Sequence, residues 1–301
     1  MDINFEYYKI FYYVAKYQNL TKAAHALNSS QPNVTRAMNC LEQEVNCTLF
    51  TRTNRGVCLT PEGERLYARV SVAMRQLQLA EEELSESVGL EHGSISIGAS
   101  EIALNIYLLD RLKKFHTQYP GVGLKIHNHS TPQAIRAVQN GEIDFALTTT
   151  PTNIEAPLKE IRLKGFQEIL IGGRSFEALK HQEMSLKDIR QYPFICLGKQ
   201  TTTYYFYNQL FLVCGLEIVP DTEAATTDQV LPLVKSELGL AFLPEEMAKE
   251  ALEKQEVCHI PLKEKIPKRY VCMVYDSKRS MSVAAQRLKK ILLEESEKNE
   301  E

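Results

Sequence analysis

An α/β fold in three successive parts is what this 301-residue sequence predicts, and three observations carry that prediction. Between Leu20 and Leu41 apolar residues fall at helical spacing around a polar break. From Leu59 to Leu84 they alternate four and three residues apart. From Ser94 onward short apolar runs alternate with amphipathic stretches. The first pattern makes a small, all-α N-terminal head, the second a long linker helix, and the third an α/β domain of strand and helix units.

In the head, Leu20, Ala23, Ala24 and Leu27 share one helix face, and Val34, Met38 and Leu41 share another. Asn28-Ser29-Ser30 separates them, so two short helices meet at an angle. Ser30 is a suitable N-cap, and Pro32 falls in the first turn, where its missing N–H leaves no hydrogen bond unmade. Gln31, Asn33, Thr35 and Arg36 then project from the second helix, away from its apolar face. Such side chains hydrogen-bond base edges or phosphates when a helix enters a major groove. Thr21 and Lys22, at the start of the preceding helix, join them as candidate DNA contacts.

Beyond Leu49-Phe50, the run Thr51-Arg52-Thr53-Asn54-Arg55-Gly56 lies between two short extended pieces and reads as a wing. Gly56 permits a tight turn, and Arg52 and Arg55, with Thr53 and Asn54 beside them, reach phosphates or a minor groove. Through Phe11, Val14, Ala23-Ala24, Leu27, Ser30-Gln31-Pro32, Val34-Thr35, Leu41-Glu42, Leu49-Phe50, Arg52, Arg55, Leu59-Thr60 and Gly63, the chain resembles the LysR-type transcriptional regulators. The resemblance implies a winged helix-turn-helix over 1–58. It departs at Asn46, where the family usually has glycine; asparagine is the next most tolerant residue of a left-handed helix end.

Thr60, Pro61, Glu62 and Glu64 form a helix start with negative charge at the positive end of the dipole. The helix that follows, within a linker segment at 59–90, runs about 40 Å at 1.5 Å per residue. Its single apolar seam, with Leu66, Val70, Ala73, Leu77, Ala80 and Leu84, has nothing in the segment to pack against except a second helix. A homodimer is the expectation, and the resemblance adds a dimer of dimers.

Residues 91–301 alternate strands and helices and divide into two lobes around a mostly parallel sheet arrangement. The resemblance implies a periplasmic-binding-protein-like, Rossmann-like effector domain. Its first lobe spans about 91–161 and 267–301, and its second about 162–266. Ligands of open parallel sheets sit beyond the carboxyl ends of strands. Ser100, Glu101 and Ile102, Thr148-Thr149-Thr150, Thr201-Thr202-Thr203 and Thr227 are therefore candidate effector contacts. Hydroxyls and helix N-terminal N–H groups suit a small carboxylated metabolite held by Ser100, Thr149 and Thr202. Two departures from the family argue against a strongly anionic ligand: Ile102 lies where a second hydroxyl is common, and Thr203 where an arginine is common. Glu101 could meet an amine, or face solvent.

The overall charge of −3 hides an uneven split, because the first 58 residues hold six Lys/Arg against four Asp/Glu. So mild a surplus makes binding depend on placed contacts and on more than one head. Seven cysteines, Cys40, Cys47, Cys58, Cys196, Cys214, Cys258 and Cys272, show no Cys-x-x-Cys spacing and read as reduced thiols. Without a signal-peptide pattern or a long apolar run, the chain is expected to be soluble and cytoplasmic, with no membrane partner. No Walker loop, Gly-x-Ser-x-Gly, His-Glu-x-x-His or Gly-x-Gly-x-x-Gly occurs, so the chain is not expected to be an enzyme or to need a cofactor. His127 and His129 share a strand face but lack a third ligand, and no metal is expected. The implied partners are double-stranded DNA, the metabolite, further copies of the chain and RNA polymerase. Two alternatives stay open: a redox-sensing regulator of the same fold using Cys196 and Cys214, and a small-molecule binding protein with no regulatory role.

Overall fold

The computed structural model describes residues 3–53, 56–85 and 93–294, of which 52–53, 78–79 and 82–85 are described as backbone only. The chain divides into two compact units at Ser87/Val88, with Asn140–Glu142 grouped with the first unit.

The N-terminal unit contains α1 (Phe5–Tyr17), α2 (Leu20–Ala26), α3 (Gln31–Val45), β1 (Phe50–Thr53), β2 (Gly56–Leu59) and α4 (Pro61–Ser85). Each early helix has the cap its sequence calls for: Asn4, Asn19 and Ser30 accept from backbone N–H groups of the first turns of α1, α2 and α3. Asn46 ends α3 in the left-handed conformation, at φ 52°. Phe11, Val14, Ala23, Val34, Leu41 and Leu49 are buried in one core. The Glu42 carboxylate accepts from the Leu49 and Phe50 amides at 2.6 and 3.1 Å, fastening the end of α3 to the start of β1. β1 and β2 pair antiparallel with Thr53 opposite Gly56, as a wing requires. Gly56, at φ +146°, holds a position where a Cβ would lie 2.3 Å from the Gln18 carbonyl oxygen.

The proposed dimer seam needs correction. Val70 is buried with Met74 in the head's own core, and Leu66 packs partly against it. Both lie where α4 runs past the helices of its own head, so they are already covered within one chain. Ala73, Leu77 and Ala80 are exposed, and the side chain of Leu84 lies outside the described residues. The exposed part of the expected seam therefore starts at Ala73, about two turns later than the periodicity suggests.

The second unit contains two five-stranded sheets. The first, ordered β4-β3-β5-β12-β6, uses β3 (Ser94–Ala99), β4 (Gly123–Asn128), β5 (Phe145–Thr149), β6 (Leu158–Phe166) and β12 (Arg269–Asp276). The second, ordered β11-β7-β10-β8-β9, uses β7 (Glu168–Gly173), β8 (Phe194–Leu197), β9 (Thr222–Ala224), β10 (Leu240–Pro244) and β11 (Val257–Ile260). Each sheet is mixed, not mostly parallel: β12 runs antiparallel to β5 and β6, and β7 antiparallel to β10 and β11. The antiparallel strands are those that flank the passages between lobes. β6 stays in the first sheet through Phe166, so the outward crossing falls at Gln167, later than the expected 161.

Helices α5 (Glu101–Ala103) and α6 (Leu109–Gln118), joined by a π-helical stretch at Leu104–Leu108, belong to the first lobe with α7 (Thr131–Gln139) and α12 (Val283–Glu294). The second lobe carries α8 (Leu186–Ile189), α9 (Thr202–Val213), α10 (Thr227–Lys235) and α11 (Glu245–Glu253). Ile97, Phe115, Phe145 and Leu288 pack in the first lobe's core; Leu170, Phe194, Phe211 and Phe242 pack in the second's. None of the described helices is long and apolar enough to cross a membrane.

Candidate functional site

In the head, Gln31, Pro32, Asn33 and Arg36 are exposed and Thr35 half-buried, while Val34, Ala37, Met38 and Leu41 fill the core. One helix thus separates a packing face from a polar face. Thr21 and Lys22 at the start of α2 are also exposed, as is the N-cap Ser30. A recess of about 390 Å³, lined by Asn19, Leu20, Thr21, Gln31, Thr35, Gly56 and Val57, joins the starts of α2 and α3 to the wing. The Val57 amide donates to the Gln18 carbonyl at 3.0 Å, which seats the wing beside that recess. The side chains of Arg52 and Thr53, and all of Asn54 and Arg55, lie outside what is described.

In the second unit, a cavity of about 170 Å³ opens between the two sheets. Ser100, Glu101, Ile102 and Thr149 line it from the first lobe, and Thr201, Thr202, Thr203 and Thr227 from the second. Each position follows from strand and helix chemistry. Ser100 directly follows β3 and caps the next helix, its Oγ accepting from the Ala103 amide at 3.3 Å. Thr201 caps α9, accepting from the Tyr204 amide at 3.1 Å and donating to the Gly198 carbonyl at 2.8 Å. Thr202 and Thr203 are the first residues of that helix, not loop residues.

Two expected contacts are corrected. Thr148 and Thr150 do not line the cavity. Successive strand residues point to opposite faces, so Thr149 facing the cavity turns Thr148 away; its hydroxyl is fully buried and has no hydrogen-bond partner among the described residues. Thr150 lies past the strand end, where its Oγ1 accepts from the Tyr270 amide at 3.0 Å and its carbonyl accepts from Arg269.

The cavity also has walls that the sequence reading missed: Asn128, His129, Ser130, Thr131 and Gln133 on one side, Ala225 and Thr226 on the other. Ser130 and Thr226 each directly precede a helix, as Ser100 and Thr201 do. That shared pattern was the signal available. Four helix starts therefore line one space, and the positive end of a helix dipole favours an anion. The lining holds one carboxylate, Glu101, and no lysine or arginine among the described residues. Glu101 accepts from the side-chain amides of Asn105 and Asn128 at 2.8 and 3.2 Å.

Beneath the cavity lies a buried polar network, likewise missed. Arg269, at the first residue of β12, donates through Nη1 to Glu168, the first residue of β7, at 2.6 Å. Its Nη2 donates to the hydroxyls of Thr149 and Thr203 at 2.8 and 3.2 Å, and its Nε to the Thr150 carbonyl at 3.0 Å. The Tyr207 hydroxyl donates to the other Glu168 oxygen at 2.8 Å. Phe166 and Phe206 rings lie 5.4 and 4.9 Å from the guanidinium carbon. Burial pushes the Glu168 carboxyl above the usual carboxylate range, against the opposing pull of Arg269 and Tyr207. The Tyr207 phenol is pushed up by burial and by Glu168.

Residues 5–64 match the bacterial regulatory helix-turn-helix protein model of the lysR family, and residues 89–297 match the LysR substrate binding domain. The chain belongs to the LysR family of transcriptional regulators. This LysR-type protein is 30% identical over 241 residues to the HTH-type transcriptional regulator YofA of Bacillus velezensis, covering 78% of this chain and 79% of that one. It is 26% identical over 243 residues to GltR of Bacillus subtilis, covering 80% of each. Among solved structures, a full-length OxyR variant from Pseudomonas aeruginosa superposes with a TM-score of 0.74 at 18% identity, covering 98% of this chain and 95% of that one. Full-length CbnR complexed with its target DNA gives 0.56 at 18% identity, covering 97% and 99%. The LysR-type chain is thus a transcriptional regulator with a helix-turn-helix DNA-binding domain and an effector-binding domain, and not an enzyme.

The redox alternative finds little physical support in the thiols. Cys196 is buried on β8, and burial, with Glu223 adding to it, pushes its thiol up to about 12. A thiol so protonated is a poor nucleophile. Cys214 is exposed at the end of α9.

Proposed function

We propose that this regulator reads its operator through Gln31, Asn33, Thr35 and Arg36 of α3. Thr21, Lys22, Ser30 and Pro32 seat that helix against the backbone, and Arg52, Thr53, Asn54 and Arg55 of the wing hold the flanking phosphates. The observation that carries this reading is the two-faced α3, whose exposed polar residues beside the N-cap lie in its first two turns. A single head is only mildly basic, so operator binding uses a dimer formed along Ala73, Leu77 and Ala80 of α4, and a dimer of dimers at paired sites. RNA polymerase is the downstream partner, and the cytoplasm the compartment. The exposed face of Leu77 supports the dimer.

The effector, on this reading, is a small carboxylated metabolite in the interlobe cleft, held by Ser100, Thr149, Thr202 and Thr227. Four helix starts and a ring of hydroxyls support an anion there, and the size of the cavity supports a small one. A ligand that favours one arrangement of the lobes shifts the sensor's conformational equilibrium, and the dimer passes that shift to the spacing of the two heads.

The test needs no known operator. Full-length protein is used to select binding sites from a random DNA library, and the selected sequence is footprinted with wild type, Gln31→Ala and Arg36→Ala. The two variants are expected to relax preference at particular base pairs, each by about 1–3 kcal/mol. Retention of full preference by both would remove α3 as the reading element.

A further inference from the structure

Arg269 is buried, yet it touches the cleft through two hydroxyls. Thr149 closes the cavity from the first lobe and Thr203 from the second, and both are at least nine-tenths buried. The same guanidinium nitrogen, Nη2, donates to both. A threonine hydroxyl has one proton to give and two lone pairs to receive, whereas arginine only donates. Each oxygen therefore has a lone pair filled from below, and its proton must go elsewhere. Among the described residues neither hydroxyl donates to a protein acceptor, and the open direction is the cavity. The contrast with Thr201 is informative, because its proton is already committed to the Gly198 carbonyl.

We propose that Arg269 is a positioning residue that sets hydrogen-bond polarity in the cleft. It fixes one hydroxyl from each lobe as a donor, and so selects a ligand whose buried end only accepts, such as a carboxylate. This rests on the reading of the cleft as the effector site and adds the device that sets its specificity. The positive charge is balanced by Glu168, which does not line the cleft. What reaches the ligand is therefore oriented O–H dipoles, not a bare cation. An ammonium, or the NH2 of a primary amide, presented to the same floor meets donor against donor, and sites built on hydrogen bonds reject such mismatches strongly. The arrangement also explains how this family member can lack an arginine at position 203: the guanidinium lies one layer down and acts through the threonine. Because Thr149 and Thr203 belong to opposite lobes, a carboxylate taking both protons bridges them.

The experiment uses the full chain and a series of carboxylates from acetate to adipate, each paired with its primary amide, with affinities read by ligand-observed NMR. Wild type is expected to prefer acids over amides by at least about tenfold, the usual scale for a hydrogen bond to a charged group. Thr149→Val and Thr203→Val, which keep shape and remove the O–H, are each expected to weaken acid binding by about 10-fold to 100-fold. Arg269→Lys keeps a charge opposite Glu168, but three donors on one nitrogen cannot serve Glu168, the Thr150 carbonyl and both hydroxyls as the guanidinium does, and it is expected to bring acids and amides to within about threefold. Conserved near-ultraviolet dichroism would show that the variants are folded. Should Arg269→Lys misfold, the two valine variants decide alone.

Amides binding as well as acids in wild type, or full acid preference kept by a folded Arg269→Lys or by both valine variants, would overturn the proposal. Ser100→Ala and Thr202→Ala, outside the Arg269 network, separate it from the broader reading. If they weaken amide binding while acids show no advantage, the cleft stands as the ligand site and the polarity device falls. If acids bind but neither variant affects them, the cleft reading falls and this proposal with it. An absence of binding across the whole series would overturn both.

Discussion

Separating Glu168 from Arg269 should be costly in an unequal way. Both side chains are essentially inaccessible, at 0% and 1% exposure. Glu168→Gln leaves a guanidinium in the interior without a counter-charge, and arginine cannot shed its proton to escape. Removing one partner of a buried pair costs about 3–5 kcal/mol, and the upper part of that range is expected here. Arg269→Met leaves a carboxylate instead, and a carboxylate can take up a proton. Burial already pushes the Glu168 carboxyl upward, and loss of Arg269 removes the largest influence holding it down. Arg269→Met should therefore cost less, about 2–3 kcal/mol at neutral pH.

Its cost should also depend on pH. A carboxyl whose folded-state value is raised contributes stability that is complete below its unfolded value, near 4.3, and is lost as pH rises through the folded value. Arg269→Met should consequently lose stability on going from acid toward neutral pH, relative to wild type. The double variant, Glu168→Gln with Arg269→Met, keeps an acceptor for Tyr207 and has no buried charge. It should lie within about 2 kcal/mol of wild type, well short of the sum of the singles. Because the chain has no tryptophan, urea unfolding followed by far-ultraviolet dichroism is the practical assay. Additive single-variant costs, or an Arg269→Met variant with no pH dependence, would refute the argument.

Three other outcomes follow from the structure. Gly63→Ala would place a Cβ 2.2 Å from the Leu49 carbonyl oxygen. The helix-propensity gain of about 1 kcal/mol should be outweighed by about 2–3 kcal/mol of overpacking, lowering the head's thermal midpoint; an unchanged midpoint would argue against this packing. Leu77→Glu places a charge on the exposed face of α4 and should raise the dimer dissociation constant by at least about 100-fold, read by sedimentation velocity; an intact dimer would move the interface elsewhere. Cys196, with its thiol raised to about 12, should resist a thiol reagent at pH 8 while exposed Cys58 and Cys214 react. Its contribution to stability is complete below about pH 8.5 and declines as pH rises toward 12. Equal labelling of Cys196 and Cys214 would contradict its burial.

Local chemistry made the head legible. Ser30, Pro32 and Asn46 act within a turn or two of their own positions, so their roles could be read without knowing what lies across the fold. The cleft was half-legible for the same reason. Ser100, Thr149 and Thr202 lie at strand ends or helix starts, but Thr148 fails because one residue of strand turns a side chain to the other face. Ser130 and Thr226 carry the same signal as Ser100, but the strands before them, β4 and β9, are largely polar and do not announce an end. Val70 fits the α4 seam by spacing, yet spacing cannot tell whether a helix face meets its own head or another chain. Arg269 and Glu168 are 101 residues apart, and nothing near either one indicates a partner. β6 hid itself by the charges of an edge strand, with Lys159, Glu160, Arg162 and Lys164 interrupting its apolar pattern.

Phe166 and Arg269 are register partners in adjacent antiparallel strands. Everything between them, the whole second sheet with its helices, leaves and rejoins the first sheet at one rung of a ladder. Topologically the second lobe is an excursion from a hairpin, with its two ends already held together. Its residues can be exchanged or lengthened without re-registering a strand of the first lobe, since β6 and β12 pair directly without them. One wall of the cleft can thus be replaced wholesale while the other stays as it was.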